Sequence, residues 1–177
     1  MKKNNLILVL LMCFSLTLFA QNDKDREVIN DAEKAKEAFI AKNKTMAKHF
    51  ADADAYVIFP NVGEGAFIVG GASGNGAVYE NGQLIGMAKM KKIDVGAQIG
   101  GEAYREAILF NSDEALKRFK DDDFELSAKV SAVLVKDGAS LNADYRDGVA
   151  VFTMPKAGLS LEASVGGQNF EFIPFEE

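Results

Sequence analysis

Residues 61–86 read NVGEGAFIVGGASGNGAVYENGQLIG, with glycine at nearly every third position between short runs of β-branched and aromatic residues. Such a stretch is either a loop that cradles phosphate or a sheet that needs glycine for its own geometry. Gly71 and Gly76 have the Gly-x-x-x-x-Gly frame of a P-loop, but Ala77 and Val78 stand where the phosphate-binding lysine and the magnesium-binding hydroxyl belong. A dinucleotide-binding turn would lead straight into a helix. Here Asn81-Gly82 follows, the strongest short-range signal of a tight β-hairpin. Ser73 fails as the nucleophile of a Gly-x-Ser-x-Gly elbow because Asn75 occupies the last position. The glycines therefore shape a sheet, with Gly70 and Gly71 expected at a bend.

Outward from this stretch, the hydrophobic period separates helix from strand. Val28, Ala32, Ala35 and Phe39 recur at helical spacing from Asp23 to about Lys42. After a break at Asn43–Thr45 a shorter helix is expected, with Thr45 as its cap and Met46 and Phe50 on its apolar side. "YVIF" before Pro60, "AFIV", "AVY" and "QLIG" read as strands, as do "GVAVFTM" and the alternating "FELSAKVSAVLV" and "GLSLEASV". Asn111 or Ser112 caps a helix "DEALKRFK", whose acids lie at its start and bases at its end, as the helix dipole favours. Asp137-Gly138 and Asp147-Gly148 mark turns. Glycine pairs in "IVGGAS", "QIGGEAY" and "SVGGQNF" point to bends or bulges in a curling sheet. The fold class is α+β: N-terminal helices packed on a large, curved, mainly antiparallel β-sheet or barrel-like sandwich, with one short helix inserted near 112–120.

The chain opens MKKNNLILVLLMCFSLTLFAQND: two lysines, an apolar run from Leu6 to Ala20, then polar residues. This is the order of a secretory signal, with cleavage expected after Ala20 and export to the periplasm or envelope. Anchoring as a lipoprotein at Cys13 is the alternative. Cys13 is the single cysteine of the 177 residues, so the processed chain has no disulfide and no cysteine metal site. The organisation expected is a signal peptide at 1–20, a helical segment at 21–50 and a β-rich part at 51–177, the last two forming one globular domain.

Removal of Lys2 and Lys3 with the leader takes the formal charge from −6 to −8, which argues against a nucleic-acid partner. His49, the only histidine, sits on a lysine-rich helix and suggests an edge role rather than catalysis. Asp121, Asp122 and Asp123 lack the spaced ligands of an EF-hand loop. No catalytic residue, metal site or cofactor is expected, and the chain reads as a non-enzyme. Two basic groups stand out instead: Lys89, Lys91 and Lys92 beside Met87 and Met90, and Lys42, Lys44 and Lys48 around Met46 and Phe50. Cations interleaved with flexible apolar side chains suit an anionic lipid surface. An ordinary solvated face is the alternative for each.

Taken together, "YVIFPNVGEGAFIVGGASGNGAVYENGQLIG", "GAQIGGEAYREAILFNSDEALKRFK", "FELSAKVSAVLV" and "ADYRDGVAVFTMPKAGLSLEASVGGQNFEFIP" resemble the SYLF lipid-binding domain family over about 50–174. The resemblance implies a non-enzymatic lipid-binding module. With the leader, it leads to the expectation of an envelope protein that meets anionic phospholipid or a membrane surface through Lys89, Met90, Lys91 and Lys92, with Lys42, Lys44 and Lys48 in reserve. The alternative is an envelope interaction domain whose partner is another protein.

Overall fold

The computed structural model describes residues 23–64, 71–93, 103–121, 124–126, 132–138, 141–156 and 167–175. The leader, Gly70, Gly100–Gly101, Asp122–Asp123 and the "GLSLEASV" run lie outside them. Two helices come first, α1 (Asp23–Lys42) and α2 (Thr45–Asp52), followed by strands β1 (Ala55–Glu64), β2 (Gly71–Glu80), β3 (Gln83–Ile93) and β4 (Ala103–Phe110). Then come α3 (Asp113–Lys120), β5 (Glu125–Leu126), β6 (Ala132–Leu134), β7 (Val149–Pro155) and β8 (Gln168–Pro174). The strands form one eight-stranded sheet in the order β5-β8-β3-β2-β1-β4-β7-β6. Every pairing is antiparallel except β6 with β7.

The glycine stretch is sheet. Gly71 to Gly76 lie within β2, paired with β1 on one side and β3 on the other. The hairpin turns at Asn81 and Gly82, whose φ values of 50° and 77° fit the two-residue turn that matches strand twist. Asp147 and Gly148 repeat the device at 51° and 82°. Close approach explains two other glycines. A Cβ at Gly76 would stand 2.8 Å from both the Ile58 carbonyl oxygen and the Phe59 ring, and one at Gly86 would stand 2.4 Å from the Ile173 carbonyl oxygen.

Pro60 does not end β1, although proline has no N–H to give a ladder. The registers with β2 and β4 both shift around it, so a bulge absorbs the missing donor inside a central strand. The "FELSAKVSAVLV" run also departs from expectation, because its described ends are separate strands on opposite edges of the sheet. That placement requires strong curvature. Seven gaps of about 4.8 Å would put the edges of a flat sheet ~34 Å apart, whereas the six steps from Leu126 to Ala132 span at most about 20 Å. Rings confirm the curl: Phe59 of β1 and Phe170 of β8, three strand positions apart, have centroids 5.8 Å apart.

Helices pack on both faces of the sheet. On the concave side, Val57, Phe59, Met90, Ile108 and Val151 meet α3, whose Phe119 lies 5.3–6.2 Å from the rings of Phe110, Phe124, Phe170 and Phe172. On the convex side, Ala32, Ala35 and Phe39 of α1 and Met46 and Phe50 of α2 cover Tyr56, Ile58, Tyr79, Leu109 and Phe152. Helix caps follow local chemistry. Ser112 Oγ accepts the Ala115 N–H at 3.2 Å. At α2 the cap is not Thr45, which is the first helical residue. Asn43 Oδ1 takes its place, accepting from the Thr45 N–H at 3.0 Å and the Thr45 hydroxyl at 2.7 Å.

Candidate functional site

Strand pleating decides what the β3 lysines can do, since alternate side chains point to opposite faces. Lys89 and Lys91 are exposed, whereas Met90 between them is 1 % exposed and belongs to the concave core. Met87 is buried as well. The backbone of Lys92 pairs with Ala72 and Gln168, and its side chain lies outside the described ones. What β3 presents to solvent is therefore a pair of cations without an apolar companion of its own.

Their surroundings make a polar band. Asn75 and Ser73 of β2 stand opposite Lys89 and Lys91 on one side, and Glu171 and Asn169 of β8 on the other, all exposed. Lys89 Nζ donates to Glu171 at 3.2 Å, with both side chains about half exposed. An exposed pair of this kind contributes roughly 0–1 kcal/mol and leaves the lysine open to a competing anion. The band continues across β1, where Asn61 pairs with Asn75 and its side-chain oxygen accepts from Lys156 Nζ at 3.1 Å. Burial, and after it the charge of Arg105, hold Lys156 below the usual lysine pKa, with Asp31 acting in the opposite sense. Lys156 and Arg105 thus sit close enough to repel. Arg105 on β4, three strand positions from β3, and Lys156 just after β7 extend the positive charge along this face, and sequence spacing gave no signal of these two.

The helix lysines are placed differently. Lys42 is paired with Asp137 at 2.6 Å and Lys48 with Asp52, while Lys44 is exposed at the start of α2. Met46 and Phe50 are core residues. His49 has a packing role: its ring stacks on Phe152 at 5.2 Å and its Nε2 lies 3.0 Å from the Leu141 carbonyl oxygen, to which it donates.

Sequence reading missed a polar cluster on the concave face. Glu106, Thr153 and Gln168 are each fully buried, and Gln168 Nε2 donates to Glu106 Oε2 at 3.1 Å. Alternation along β4 does place Glu106 inward with Tyr104 and Ile108, but Thr153 and Gln168 come from β7 and β8. Among the described residues no group of three or more His, Cys, Asp or Glu side chains could hold a metal, and no helix is long and apolar enough to cross a membrane.

Comparison with known proteins adds a family and a relative. Residues 91–172 match the family model described as "Ysc84: Las17-binding protein actin regulator", the SYLF domain. Over 82 residues the chain is 32% identical to "Beta cell expansion factor A" of Aeromonas veronii. That alignment covers 46% of this chain and 31% of the relative, so the chain spans about a third of the relative's length.

Proposed function

We propose, from the premise that residues 91–172 belong to the SYLF (Ysc84) domain family, that this protein is an exported bacterial lipid-binding module. The family is lipid-binding or actin-regulating, and a non-enzymatic role is consistent with it. In this reading anionic phospholipid is met at the convex band, through Lys89 and Lys91, with Arg105 and Lys156 farther across the same face. The observation that carries it is that Lys89 and Lys91 project together, exposed, from one face of β3, where among the described side chains paired with them Glu171 is the one acid and the others are uncharged and polar.

A protein of negative net charge is repelled at long range by an anionic bilayer, so contact depends on a local excess of positive charge. Each cation near the surface contributes about 1 kcal/mol. The leader supports export, and the relative from Aeromonas veronii supports a bacterial setting. Sedimentation with phosphatidylglycerol or cardiolipin vesicles tests the reading. Binding is expected to weaken as salt rises, and the double change Lys89→Gln, Lys91→Gln to weaken it by about 30-fold, the equivalent of ~2 kcal/mol. A parent protein that binds no vesicle at any salt would transfer the role to the envelope protein-interaction alternative. Equal binding by the double variant would refute the site.

A further inference from the structure

The Asn81-Gly82 turn closes one end of the β2–β3 hairpin, seven residues or about 23 Å along β3 from Lys89. Beside this turn, α1, α2 and the start of β1 enclose an open cleft of about 620 Å³, well away from the convex band. That volume falls within the ordinary range of small-molecule sites. Its lining includes Lys36, Phe50, Tyr56, Asp52, Asp54 and Asn81.

Lys36 is held in place with unusual care for a helix lysine. Its Nζ donates to the Tyr56 hydroxyl at 2.7 Å and stands 4.5 Å from the Tyr56 ring centroid and 5.3 Å from that of Phe50. Those rings are edge-on to each other at 5.2 Å, and Tyr56 in turn stacks on Tyr79 at 4.9 Å. An ammonium has three donors. One is used, and among the described residues no carboxylate lies within ion-pair distance of it. Asp54, exposed on the same cleft, likewise has no ion pair among the described residues. Its backbone is fixed on both sides: its N–H donates to the Phe110 carbonyl at 3.0 Å, and its carbonyl accepts from Asn81 at 2.9 Å. Asp52 adds a second carboxylate, shared with Lys48. Burial, and after it the charges of Asp52 and Asp54, push the Tyr145 phenol above its ordinary pKa, so both carboxylates lie near that ring.

A cation and a carboxylate that line one cleft without pairing leave room for a ligand carrying both charges. We propose that this cleft binds a small zwitterion, its oxyanion received by Lys36 and its ammonium by Asp54, with Tyr56 and Phe50 fixing the lysine. A phosphoethanolamine group has this chemistry whether free or as a lipid headgroup, and a free amino acid has it with carboxylate in place of phosphate.

Calorimetric titration of the protein with O-phosphoethanolamine, glycine, ethanolamine and inorganic phosphate at one ionic strength tests the proposal. At least one of the two zwitterions is expected to bind tenfold or more tightly than either probe that carries charge of one sign only. Asp54→Asn and Lys36→Gln are each expected to remove that advantage, while Lys89→Gln with Lys91→Gln leaves it intact. Asp54 is exposed, so its variant decides the matter even if the lysine variant disturbs the helix. Sedimentation with phosphatidylethanolamine in phosphatidylcholine vesicles, lost in Asp54→Asn, would assign the site to a lipid headgroup; binding of soluble probes alone would assign it to a free zwitterion. The proposal is overturned if neither zwitterion binds more tightly than phosphate and ethanolamine, or if Asp54→Asn retains the full advantage.

Discussion

Gly86→Ala gives the sharpest account of why this sheet is rich in glycine. A methyl there would lie 2.4 Å from the Ile173 carbonyl oxygen, 2.7 Å from Phe172 Cε2 and 3.0 Å from the Pro174 Cα. Ordinary carbon contacts lie at roughly 3.5–4 Å, so β8 must withdraw by about 1 Å along a ladder that includes the bond from the Phe175 N–H to the Ile85 carbonyl. Overpacking of this kind costs about 1–3 kcal/mol, and one weakened backbone bond adds about 1 kcal/mol. The expected loss is ~2–4 kcal/mol, read as a lower urea midpoint. Gly63 supplies the control. Among the described residues nothing lies within 4 Å of a Cβ built there, and alanine restricts the unfolded chain, so Gly63→Ala is expected to be neutral or to stabilise by up to about 1 kcal/mol. Equal urea midpoints for the two variants would refute the close-approach explanation.

Phe119→Ala removes the ring at the centre of the concave aromatic cluster and is expected to cost about 3–5 kcal/mol in denaturant unfolding; a loss below ~1 kcal/mol would mean that α3 is not a packed plug. Tyr79 carries a phenol pushed up to about 12 by burial first and by the charges of Glu33 and Tyr56 after it. The native state thus holds this proton more tightly than the unfolded chain. The associated stability is complete below the unfolded value near 10 and is lost as pH rises toward 12. Tyr79→Phe is expected to flatten the alkaline limb of a thermal-melt series, and an unchanged limb would count against it. Among the described residues the buried Thr153 hydroxyl has no hydrogen-bond partner, so Thr153→Val is expected to leave stability unchanged or raise it by about 1 kcal/mol; a loss of more than 1 kcal/mol in urea would show that the hydroxyl is satisfied.

The elements that were legible in the sequence are those with a strong local signal. Asn81-Gly82, the Ser112 cap and the periodicity of Asp23–Lys42 each depend on residues a few positions apart. Pro60 misled because its backbone constraint is local while the bulge that absorbs it depends on two partner strands. The division of "FELSAKVSAVLV" was hidden for a related reason: its alternation specifies a pleated, half-buried surface but carries no statement of which edge is paired. At the candidate site, Lys89 and Lys91 were visible as a cluster. Met90 was grouped with them by proximity in sequence, although a one-residue step along a strand reverses the face. Lys156 and Arg105 were not visible, because β4 and the end of β7 bring them together across 51 residues. The Lys36 cleft depends on α1, α2 and a hairpin turn meeting in space, a relation that no spacing encodes.

The convex face is best tested by asking directly whether it enters the membrane surface. A chain beginning at Gln21 has no cysteine, so Asn75→Cys places a single polarity-sensitive fluorophore beside Lys89. Glu114→Cys places one on exposed α3, across the sheet. With phosphatidylglycerol vesicles, the account predicts a blue shift at position 75 and none at 114, reversed at 1 M salt, where screening acts within about 3 Å. No shift at 75, or an equal shift at both positions, would contradict it.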